Sequence, residues 1–146
     1  MIGFNHALAG GLIGRFLPFP IALPLAIASH FCLDTLPHYG LPNKERDHSK
    51  VWRYVFIFDF IATACLIAIP LPSHRYAMLT CGISAVLPDF VWVGRVIKNR
   101  SFNLSNNKNW YSKWHAKIQH YERPWGIWLE LSIAATLLYF VLLSVS

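Results

Sequence analysis

Two side chains four residues apart, His30 and Asp34, stand in the segment SHFCLDTLPHYG of a 146-residue chain. On a helix that spacing projects both from one face, where they can share an ion. Pro37 ends the helix and His38 follows at once, able to fold back as a third ligand. Asp89 comes after Pro88 in VLPDF, a proline that frees backbone and turns the carboxylate away from a regular helix face. Imidazole nitrogen and carboxylate oxygen without thiolate suit a divalent metal, zinc first and manganese or iron as well. Cys32, Cys65 and Cys81 occur singly in apolar segments, with no CxxC pair, and read as small buried hydrophobes.

The elements that must position these groups are membrane helices. The chain is 55% hydrophobic and only 14% charged, where a soluble domain carries about a quarter charged residues. Its apolar stretches approach the roughly 20 residues that cross a bilayer. A first helix is expected over about His6–Leu17, stopped by Pro18 and Pro20 and, at about 18 Å, too short to cross alone. Its start lacks the basic region and cleavage site of a signal peptide. Ala7 with Gly11, and Gly10 with Gly14, make small-xxx-small pairs for close packing. Further helices are expected over Ile21–Leu36, Val51–Ile69, Tyr76–Ile97 and from Pro124 to Ser144, with an interfacial helix around Trp110 and Trp114. The expected fold is all-α: an integral membrane bundle of four to five helices, the first one short, in a single domain over residues 1–146.

The net charge of +6 reflects topology and not a nucleic-acid partner. Eleven basic residues fall in the loop after the second helix (Lys44 to Arg53) and the stretch after the fourth (Arg95 to Arg123). Only Arg15 and Arg75 lie opposite, so the two basic loops should be cytoplasmic. Asp34, Asp59, Asp89 and Glu130 then fall inside apolar helices near that one face, joined by His6 and His30, with His38, His115 and His120 just outside. An ionisable group in a membrane helix is costly and marks function or a specific partner.

SHFCLDTLPHYG, preceded by NHALAG and followed by AVLPDF, resembles the membrane-bound metal-dependent hydrolase family of small bacterial inner-membrane proteins, itself distantly similar to zinc-dependent phospholipase C. The matching positions are His6, Ser29, His30, Asp34, Pro37, His38, Leu87, Pro88 and Asp89. The tail HAKIQHYERPWGIWLE is similar too, and adds His115, His120 and Glu130 as candidates. The resemblance covers nearly the whole chain and implies a metal site. The chain is shorter than phospholipase C and lacks its amino-terminal tryptophan ligand, so one or two ions are implied and not three.

The expected metal ligands are therefore His6, His30, Asp34, His38, Asp89 and His115. The expected activity is hydrolysis by an ionised metal-bound water, with Asp59 or Glu130 outside the ligand shell as general base. A site near the headgroup level beside seven basic residues from Arg95 to Arg123 points to a lipid or amphipathic substrate, and the resemblance adds phosphoesters. Neither the HExxH of a zinc protease nor the GxSxG of a serine lipase is present. The alternative is a non-enzymatic membrane protein, a metal-ion transporter or metal binder using the same carboxylates.

Overall fold

The computed structural model describes residues 1–68, 75–100 and 109–145. The turn expected around Ser73, His74 and the basic residue Lys108 lie outside the described residues. The chain is all-helical apart from one two-residue bridge: α1 (Gly3–Phe16), α2 (Phe19–Asp34), β1 (His38–Tyr39), a single turn α3 (Asn43–Arg46), α4 (Lys50–Ala68), α5 (Arg75–Asn99), α6 (Trp110–Ile118), β2 (Glu122–Arg123) and α7 (Gly126–Val145). Among the described residues, three helices are long and apolar enough to cross a membrane, over Lys50–Ala68, Tyr76–Asn99 and Gly126–Ser144. The helix α2 is apolar but has only 16 residues, or about 24 Å.

The surface explains why these helices need lipid. Only 6% of the apolar stretch of α4 is buried in the protein. Phe58 on α4 and Trp128 on α7 stand more than two-thirds exposed. A helix that is apolar all round and uncovered by protein must be covered by something else. Cys32 and Cys65 lie on this exposed surface; of the three cysteines expected to be buried, only Cys81 is.

The first helix is the central one. It packs on α2, α4, α5 and α7. The expected pair Gly10 and Gly14 makes this possible, since a Cβ at either would run into the backbone carbonyls of Cys81 and Ala77 on α5. Ala22, Ala26, Cys81 and Ala85 continue the same small-residue packing between α2 and α5. A second apolar cluster joins Leu8, Met78 and Val141, tying α1 to α5 and α7.

Several helix ends shift from expectation, and two of the shifts bear on the site. The helix α1 starts at Gly3, so His6 lies a turn inside it. No side chain of its own caps it. Its unpaired N–H groups are met by acceptors from distant helices. The helix α2 closes at Asp34, two residues before the expected Leu36, as Thr35 and Leu36 donate instead to the carbonyls of Cys32 and Leu33. The residue before a proline avoids the helical region, and Pro37 imposes that limit here. Beyond it, His38 and Tyr39 pair in parallel with Glu122 and Arg123, a bridge that no strand-like pattern announced.

Candidate metal centre

Four helices bring their polar residues to one point. The helix α1 supplies His6, α2 supplies His30 and Asp34, α5 supplies Asp89, and α6 supplies His115. His6, His30 and Asp34 are fully buried and His115 nearly so. The expected interfacial helix α6 is present and amphipathic. Trp110 faces outward, Trp114 packs on Phe31 of α2 with ring centroids 4.8 Å apart, and His115 turns inward.

The His30 ring is oriented by its far nitrogen. Nδ1 donates to the Ala85 carbonyl at 2.8 Å, which leaves the lone pair on Nε2. That lone pair faces Asp34 Oδ2 at 3.2 Å, His115 Nε2 at 3.2 Å and Asp89 Oδ1 at 3.7 Å. His6 stacks on His30 with centroids 4.0 Å apart, and its Nε2 lies 3.2 Å from Asp34 Oδ1, out of line for a hydrogen bond. Neither His6 nitrogen has a hydrogen-bond partner. Ring nitrogens and carboxylate oxygens that face one another need a proton or a cation between them, because their lone pairs otherwise repel.

The spacing suits a cation. Two ligands held at about 2.0–2.2 Å on a tetrahedral ion stand roughly 3.3–3.6 Å from each other. The separations from His6 to Asp34, His30 to Asp34 and His30 to His115 are each 3.2 Å, and His30 to Asp89 is 3.7 Å. Among the described residues, two groups can hold an ion, His6–His30–Asp34 and His30–Asp89–His115. They share His30, whose one free nitrogen serves a single ion.

Three further groups already engage Asp34. The Met1 ammonium lies 2.5 Å from Oδ1. Gln119 donates to Oδ2 at 3.0 Å, and His115 Nε2 is 2.8 Å from the same oxygen. Gln119 escaped the sequence reading, although its position four residues after His115 places both on one helical face. Asn5 escaped it too; a buried amide beside His6, it donates to the Glu130 carbonyl at 3.1 Å.

The remaining expected site residues lie elsewhere. Asp59 accepts from the Gly3 and Phe4 N–H groups, each at 2.9 Å, and Glu130 Oε1 accepts from the Ile2 N–H at 2.9 Å. These are the caps that α1 lacks in its own sequence, and carboxylates at a helix N-terminus also suit its dipole. Glu130 Oε2 has no partner. His38 joins neither metal-capable group. Its Nδ1 donates to the Leu36 carbonyl at 2.7 Å, and its Nε2 faces Glu122 Oε1 at 3.9 Å. Burial pushes the His38 imidazole down to about 4. The His120 ring lies tilted against Tyr121 in an exposed segment, away from the centre.

A second polar group stands above the centre. Arg46, nearly buried, pairs with Glu122, donates through Nε to the Leu41 carbonyl at 2.8 Å and lies 4.8 Å from the Trp52 ring. Burial pushes the Glu122 carboxyl up, against the pull of Arg46. A cavity of about 380 Å³ runs from this group past Asp89 and His115 to Thr63 and Ile67. No protein-family model, curated protein or solved structure matches the chain.

Proposed function

We propose that the chain is a membrane-embedded metal-dependent hydrolase, acting on an ester or phosphoester of a lipid or similarly amphipathic substrate at the cytoplasmic face of a bacterial inner membrane. One observation carries this reading: five buried or half-buried ligand side chains from four helices converge at metal-ligand spacing, and two of them, Asp89 and His115, also line the cavity. The resemblance to membrane-bound metal-dependent hydrolases supports it. A divalent ion held by His30 together with His6 and Asp34, or with Asp89 and His115, zinc or else manganese or iron, would supply Lewis acidity and an ionised water near neutral pH.

The chain's own residues divide the remaining work. The Ala85 carbonyl holds His30 in the tautomer that presents Nε2, and the Gln119 amide donates to Asp34 and holds its carboxylate in place. Asp59 lines the cavity while Glu130 does not, so of the two expected proton carriers Asp59 is the base. Its Oδ2 keeps a second lone pair beyond the Gly3 N–H it accepts, while Oδ1 takes both the Phe4 N–H and the Thr63 hydroxyl. Glu130 is a positioning residue that seats the start of α1. The basic side chains Lys50, Arg53, Arg95, Lys98, Lys113, Lys117 and Arg123 orient this end toward the cytoplasm. Cysteine accessibility at Ser49 from the periplasmic side alone would reverse that orientation.

Element analysis of the purified protein, repeated on His30→Ala, is the first test. Stoichiometric zinc, manganese or iron in the wild type and background metal in the variant are expected. Chelation should then abolish turnover of phospholipids or phosphoesters, and the metal should restore it. A metal-free wild type would leave the cluster an ion-paired lock around the Met1 amine. A metal-loaded protein inert toward such substrates but moving ions across vesicles would make it a transporter.

A further inference from the structure

The cavity has a direction. Along α4 its wall is formed by Trp52, Phe56, Asp59, Thr63 and Ile67, one side chain for each turn of a single face. From Asp59 to Ile67 that face descends about 12 Å, close to the ~15 Å of one hydrocarbon leaflet. Below Asp59 the lining is Phe60, Ala64, Ile67 and Val86, with Thr63 the single polar side chain. Above it stand Arg46, Glu122, Gln119 and Trp52. Polar above, carboxylate and imidazole at the middle, hydrocarbon beneath: the same order is found in a lipid from head group through ester to chain.

The cavity also opens sideways. Phe60 on α4 and Phe90 on α5 both line it, yet each is about half exposed on the outward apolar surface, at 55% and 49%. A ligand can pass between them from the bilayer without crossing water. The volume of about 380 Å³ lies near the low end of small-molecule sites, about 300–1,000 Å³. That is room for one chain and not for a diacyl pair.

We infer that the cleft between α4 and α5 seats one unbranched alkyl chain of a membrane lipid, with the carbon that bears its ester held beside Asp89 and His115. The inference rests on the proposed hydrolase reading for the purpose of the cleft, but binding can be measured without turnover or metal. A second hydrocarbon chain stays outside among the exposed side chains of α4 and α5.

The test is native mass spectrometry of the full chain released from nanodiscs of phosphatidylglycerol and phosphatidylethanolamine, with metal content and melting temperature measured on the same samples. The wild type should retain one lipid per chain, and single-chain lysolipids should compete for it better as their chains lengthen. Ala64→Phe fills the lower cleft and should lose that lipid while keeping wild-type metal content. Phe58→Ala, on the outward face of α4, should keep it. Thr63→Met, a second filling change, stands in if Ala64→Phe does not fold. Retention of the lipid by a folded filling variant, or no lipid above the level of Phe58→Ala controls stripped by detergent, overturns the inference. Metal without retained lipid sinks the cleft and spares the metal centre; retained lipid without metal does the reverse.

Discussion

Asp34 and Asp59 are both carboxylates set in apolar helices, and both lie against the beginning of the chain. Around Asp34 stand three imidazoles, an amide and an amine, all side-chain or terminal groups that can be exchanged for a metal. Around Asp59 stand two backbone N–H groups and the Thr63 hydroxyl at 3.4 Å. Asp89 belongs with the first and Glu130 with the second. Intramembrane carboxylates are thus of two kinds here. One kind is surrounded by ligands and competes for a cation; the other replaces the caps that a short helix cannot supply for itself.

Asp34→Ala should break the comparison most visibly. It strips the buried histidines and the amine of their common partner, a loss of about 3–5 kcal/mol for a broken buried ion pair. Metal content should fall to background by element analysis. If Asp59→Ala lost metal equally, in protein that remained folded, the distinction would be void.

His38 sharpens the contrast, as an imidazole that belongs to neither carboxylate. Its ordinary value of 6.5 falls to about 4 in the folded protein because the ring is buried. The unfolded chain therefore takes up a proton as pH drops below 6.5, while the folded one refuses it until about 4. Stability from this group is intact above pH 6.5 and is lost progressively down to about pH 4, by up to about 3 kcal/mol. Melting temperatures in detergent should fall over that window, and His38→Gln should flatten the difference. An unchanged profile in the variant would mean that His38 is solvated.

Asp59→Ala should cost about 1–3 kcal/mol, since it leaves the Gly3 and Phe4 N–H groups without their acceptor. Metal per folded chain should stay near the wild-type level and turnover should fall. Gln119→Ala comes last, at about 0.5–1.5 kcal/mol for one hydrogen bond to Asp34, with metal affinity lowered by about tenfold. A Gln119→Ala protein with unaltered affinity would show that its amide does not orient the carboxylate.

Much of this was legible in the residues. Apolar length marked α4, α5 and α7, prolines marked the end of α2, and the His30–Asp34 spacing drew the centre of the site. The glycines at 10 and 14 announced a close crossing, though not which helix they would meet. What stayed hidden was non-local. The start of α1 is set by acceptors at 59 and 130, which no window around Gly3 contains. His38 follows the helix end as expected but is drawn off by pairing with Glu122, 84 residues on. Arg46 read as one positive loop charge among eleven, because its aromatic and carboxylate partners come from α4 and β2.

The placement of α1 also bears on the order in which the protein assembles. Its first amides are synthesised before any of their acceptors, and Ile2 must wait for Glu130, 128 positions later. A bare N–H within hydrocarbon costs several kcal/mol. The Ile2 amide therefore finds its acceptor only once α7 has arrived. A chain truncated before residue 126 should leave the segment around α1 open to an added protease, and the chain that carries α7 should shield it. The arrival of α7, in that sense, is what closes the site.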